Sequence, residues 1–196
     1  YHPRERHDRW GDPRAREIQD AVPSRWEWTF HGGERPYWQL GALEALYDGG
    51  VRQADAALAR VVDRLRDRGT LDDTLLVVAG DHGDGFGEPG RVAGEPRNVA
   101  HIVPTGEELL HVPLLLRPPG GGDGRRVDDL AALDRFPAVV RDHVDGLVGG
   151  GRFAVDRAHA TKQPVTGDLR EKYETHCDDP GRFVAASHAV YEDAPG

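Results

Sequence analysis

From Pro36 onward apolar residues return at steps of three and four: Trp38, Leu43, Leu46, Tyr47, Val51, Ala54, Leu58, Val61, Val62 and Leu65. That period predicts one long amphipathic helix through Arg68, with Gly69 standing where a helix stops. "TLDDT" then turns the chain into Leu75–Ala79, a continuous apolar run suited to a strand buried on both faces. A glycine-rich stretch follows, and "TGEELL" offers a helical turn with Thr105 as cap and Glu108 three residues on, the spacing of a capping box. Val112–Leu116 predicts a second buried strand, closed by "RPPGGGDG". "LDRFPAVVRDHV" predicts a helix with Asp134 as N-cap and Pro137 in its first turn.

Residues 1–34 lack periodicity and read as an irregular approach segment. Residues 35–150 form an α/β core portion, and 151–196 a C-terminal subdomain whose one clear strand pattern is Phe183–Tyr191. Helix and buried strand in alternation make the fold class α/β.

Composition narrows the partners. A formal charge of −9 argues against nucleic acid, whose phosphates require clustered Lys and Arg. The apolar runs are too short for a membrane span, and no signal segment opens the chain, which leans the compartment toward the cytoplasm without deciding it. The single Cys177 excludes an internal disulfide framework and a cysteine zinc cluster. Tyr1 opens a sequence without any methionine, so a piece of a longer protein is expected.

The chemistry concentrates in "GDHGDGFGEPG". In open α/β sheets ligands gather beyond the carboxyl ends of strands, where Asp81 and His82 stand. A carboxylate oxygen and an imidazole nitrogen can share a divalent cation if the backbone bends out of the strand, and Gly80, Gly83, Gly85 and Gly87 permit the bend. On spacing alone the rival reading is a turn in which Asp81 caps nearby amides and His82 is solvated. An EF-hand is set aside, since Gly83 offers no side-chain oxygen at the third loop position. His101 could swing back toward the same strand end as a substrate contact or proton donor. His111 reads as structural, and the remaining histidines have no constellation around them.

Taken together, the apolar strand with Asp81-His82-Gly83, "HVPLLLRPPG" and the Asp134–Pro137 segment resemble the sulfatase family of the alkaline phosphatase superfamily, over roughly residues 37–145. The resemblance implies part of an alkaline-phosphatase-like three-layer α/β/α sandwich, with a small C-terminal α+β subdomain. It implies hydrolysis of a sulfate ester by a cation-stabilised nucleophile, a hydrated formylglycine made from Cys or Ser. Asp81 and His82 would be two metal ligands, and His101 would face the sulfate or leaving group. Calcium is the first expectation for the metal, with zinc, manganese or magnesium as alternatives. The expected substrate is a sulfate or phosphate ester, small molecule or glycan.

Departures bound this reading. The family's early Asp-Asp pair and its nucleophile have no counterpart here. "AVPSR" at residues 21–25 copies the modification signature with alanine at the nucleophile and lacks the strand-to-helix context, and "THCDDPGR" around Cys177 matches nothing. Arg91 and Arg97 could stand in for a lysine found in some relatives. The expectation is therefore a fragment, inactive by itself. A phosphoryl-ester hydrolase or phosphoethanolamine-type transferase of the superfamily is one alternative, and a non-catalytic assembly or binding module is another. A core face left uncovered would promote self-association.

Overall fold

The computed structural model describes residues 3–8, 12–21, 28, 30–31, 34–88, 98–101, 106–146 and 153–192. The long period is realised as a helix, α2, over Tyr37–Asp67. It ends as anticipated: Gly69 takes φ +68°, and the Gly69 and Thr70 amides donate to the Arg66 and Leu65 carbonyls at 2.9 and 3.0 Å. Glycine suits that left-handed position, and the paired bonds satisfy the final carbonyls.

Within the stretch expected to be irregular, Ala15–Asp20 forms a short helix, α1. It packs on the first turns of α2, where Ala15, Trp28, Leu40, Ala42, Leu43, Leu46 and Val99 make the main core, joined by Ile18 and Phe86. A second cluster gathers Phe30, Tyr173, Phe183 and Val184. Phe30 meets the Tyr173 and Phe183 rings edge-on, with centroids 5.1 and 4.9 Å away. These edge contacts suit the opposed charge of ring faces and rims.

β1, Leu76–Ala79, pairs antiparallel with β4, Leu114–Arg117, with Leu76 opposite Arg117 and Ala79 opposite Leu114. Both strands lie where the apolar runs put them, but neither is buried on both faces: Leu115 and Leu116 are 58% and 42% exposed. The correction has a simple cause. Among the described residues the two strands pair only with each other, in a two-stranded sheet whose Leu115 and Leu116 side chains stay open to solvent. Arg117 locks the preceding turn to this pair, donating to the Leu71 carbonyl at 2.7 Å and to Asp72 at 2.7 Å.

Other elements also shift. Half of the expected glycine loop is a strand: β2, Gly85–Glu88, pairs with β3, Asn98–Ala100, across an irregular register at Phe86 and Glu88. The helical turn α3 spans Glu107–Leu110 and starts from Gly106 without a side-chain cap, while Thr105 lies outside the described residues, as do Arg91 and Arg97 and residues 22–25 of "AVPSR". Asp134 is not the N-cap, a position that falls at Arg135 without a side-chain cap. The chain instead enters α4, Phe136–Val144, through a tight turn at Leu133–Arg135, with Pro137 in the first helical turn. The C-terminal strand pattern begins later than expected, because Pro180 opens a helical turn, α6, at Gly181–Val184. The strand itself is β6, Ser187–Glu192, in register with β5, Arg157–Lys162. Helix α5, Gly167–His176, lies between β5 and α6.

Candidate active site

β1 delivers the chain to Gly80, whose amide continues the ladder by donating to the Pro113 carbonyl at 3.1 Å. Val112 packs so closely on Gly80 that an added Cβ would lie 3.2 Å from its Cβ. Three residues on, the Gly83 amide donates to the Leu109 carbonyl at 2.8 Å. A side chain at Gly83 would overlap the Glu108 carbonyl oxygen, so glycine is required for this approach rather than for flexibility. The loop is thus pinned at both ends, with Asp81 and His82 between the pins.

Asp81 projects into solvent, its side chain 91% exposed against 44% for His82. Its Oδ1 accepts the His82 backbone N–H at 3.0 Å. That bond, followed by one from the Asp81 backbone amide, lowers the Asp81 pKa and keeps the carboxylate ionised. His82 Nδ1 lies 2.8 Å from the Gly83 carbonyl oxygen. Because a carbonyl only accepts, Nδ1 carries the hydrogen and the neutral ring bears its lone pair on Nε2. Nε2 stands 3.8 Å from Asp81 Oδ2. A cation held here would take Asp81 Oδ2 and His82 Nε2 as two of its ligands.

The donor set of one carboxylate and one available imidazole nitrogen therefore suits a divalent cation, but only as part of a coordination shell. Among the described residues no three His, Cys, Asp or Glu side chains converge to hold a metal.

The structure brings His101 to this place. It follows β3 directly, and its ring lies 4.2 Å from the His82 ring, tilted by 33°. Its Nδ1 meets Asp84 Oδ1 at 2.9 Å, where the Asp84 side chain is only 10% exposed. Nothing in the local sequence marks Asp84 as a partner of His101. The register supplies the missing signal, since Gly85 faces Ala100 and so sets Asp84 against His101.

Tyr47 reads in the sequence only as a member of the helical stripe. Its ring meets Phe86 edge-on at 5.2 Å. Burial raises its hydroxyl pKa, and the charges of Asp84, Asp48 and Asp81 push it further. His111 stays apart, exposed and 3.7 Å from Glu107.

The Sulfatase family model matches residues 2–146, well over half of the chain. The chain belongs to the sulfatase family. The match begins far upstream of residue 37, so the approach segment with α1 shares in the family pattern. The low-salt glycan biosynthesis sulfotransferase Agl7 of Haloferax volcanii is 32% identical over 112 residues, covering 54% of this chain and 27% of that protein. Arylsulfatase K of Danio rerio is 30% identical over 103 residues, covering 52% of this chain and 18% of that protein. The matched region thus spans less than a third of either relative's length. No solved structure matches the chain significantly.

Proposed function

We propose that this chain supplies one wall of a sulfatase-family active site that hydrolyses a sulfate ester, with Asp81 and His82 holding part of a divalent cation's shell. The observation that carries this reading is the Asp81–His82 pair at the pinned end of β1. One ionised oxygen and one tautomer-fixed nitrogen stand 3.8 Å apart. Calcium remains the first choice on family grounds, while the imidazole leaves room for zinc, manganese or magnesium. When bound, such a cation polarises the ester oxygens and stabilises the charge that develops on them.

The chain's own residues do the rest of what is assigned here. Asp81 contributes negative charge without losing solvent access. His82 presents Nε2 because Gly83 occupies Nδ1. His101, stacked beside His82, contacts the sulfate or the leaving-group oxygen. The nucleophile and the remaining carboxylates come from outside this chain, which by itself is inactive.

One observation favours a second reading of the acceptor. A relative of this chain is named a sulfotransferase of glycan biosynthesis, so the sulfuryl group can pass to a glycan hydroxyl instead of water. The same residues serve both outcomes, since each acts on the sulfuryl oxygens or on the departing oxygen and none on the acceptor.

The test uses 4-nitrocatechol sulfate. The purified chain gives no product, whereas the chain combined with the polypeptide supplying the remainder of the family fold gives metal-dependent release that Asp81→Ala abolishes. Turnover by the purified chain alone contradicts the partial-site reading. Full activity of Asp81→Ala in the combined protein contradicts the cation role.

A further inference from the structure

Resting on the reading that His101 meets the substrate, we propose that Asp84 is its positioning residue, fixing both the orientation of the ring and which nitrogen it offers. His101 is 54% exposed, and an exposed imidazole without a partner samples several rotamers and both tautomers. Here the antiparallel register places Asp84 and His101 just beyond the Gly85–Ala100 pair. Ala100 holds φ +64°, a left-handed conformation uncommon for alanine, immediately before the histidine. The backbone thus accepts strain at the residue that aims His101 back over the loop.

Asp84 is the more buried partner, at 10% exposure, and its Oδ1 lies 2.9 Å from Nδ1. An ionised carboxylate has no hydrogen to give, so Nδ1–H donates and Nε2 keeps the lone pair. His82 is held by the same device, with the Gly83 carbonyl in place of a carboxylate. Two rings 4.2 Å apart therefore both use Nδ1 for structure and reserve Nε2. Such outer partners fix tautomer and orientation in many histidine sites, and their loss lowers activity by about tenfold to a hundredfold.

The decisive readout is the tautomer, observed by long-range proton–nitrogen NMR on the 15N-histidine-labelled full chain at a pH where the ring is neutral. Wild type gives the Nδ1–H form at His101. Asp84→Ala moves His101 toward the Nε2–H-rich mixture of free imidazole, and Asp84→Asn, whose amide oxygen still accepts, keeps Nδ1–H. A wild-type His101 already in the Nε2–H form overturns the proposal, as does an unchanged tautomer in a folded Asp84→Ala. If Asp84→Ala fails to fold, the wild-type spectrum decides alone.

The combined active protein separates this proposal from the reading beneath it. Asp84→Ala should lower kcat about tenfold to a hundredfold with little change in KM. No loss in Asp84→Ala where His101→Ala lowers kcat overturns the positioning role. An active His101→Ala, alongside the expected His101 tautomers in the wild type and the Asp84 variants, instead removes the substrate role and leaves the geometry standing.

Discussion

Gly83 decides whether the candidate site exists, because its hydrogen lies where any side chain would strike the Glu108 carbonyl. Gly83→Ala should destabilise the fold by about 2–3 kcal/mol, since α3 must move away from the loop. Urea denaturation measures this; a change within about 0.5 kcal/mol shows that the loop is not held there. Asp12 offers a test of a different kind. It bonds the Arg14 guanidinium at 2.9 and 2.6 Å and the Arg14 amide at 2.9 Å, ahead of α1. These bonds hold its pKa down from 3.8 to about 2. A carboxyl that ionises more readily when folded adds stability above its unfolded pKa and loses it as pH falls through the folded one. The contribution therefore fades between about pH 4 and about pH 2, and Asp12→Asn should flatten that part of the acid titration followed by α1 amide exchange. At this scale Asp81 and His82 stand out as candidates because a carboxylate and an imidazole lie side by side among glycines, and His101 because it follows the same loop. Asp84 does not, since its partner lies 17 residues away and only strand register joins them.

Elements were legible where periodicity was long. Helix α2 carries its stripe over 31 residues and ends in a glycine with the required φ. Helix α1 was invisible because six residues hold too few turns to reveal a period. β5 alternates correctly, but Arg157–Lys162 does so with alanines and polar residues that carry little apolar contrast. The strands β1 and β4 expose the limit of reading burial from composition: the apolar run located them, but cover depends on which layers are present. Helix α2 has the same imbalance along its length. Leu40, Ala42, Leu43 and Leu46 are buried, whereas Val51 and Val61 are 53% and 52% exposed. Leu46→Ala should accordingly destabilise by about 2–5 kcal/mol through lost burial and an unfilled cavity. Val61→Ala should change stability by less than about 0.5 kcal/mol, as exposed positions do. Equal effects in thermal unfolding would mean that the latter half of α2 is as well covered as the first.

At the scale of the whole molecule, family membership and the partial cation site proposed at Asp81 and His82 belong together. The match across residues 2–146 establishes the family, while the relatives are several times longer than the regions they share with this chain. Leu115 and Leu116, consecutive on β4, point to opposite faces and leave apolar surface exposed on both sides of the strand pair, which further layers of the family fold would cover. The formal charge of −9 adds a general attraction for cations, so a binding measurement must resolve position as well as affinity. Paramagnetic manganese does this even when binding is weak. Titrated into the labelled chain at substoichiometric amounts, it should broaden the Asp81, His82 and His101 signals first, and Asp81→Ala should remove that selectivity. Broadening spread over the acidic surface with these three residues unaffected would contradict a cation site at the end of β1.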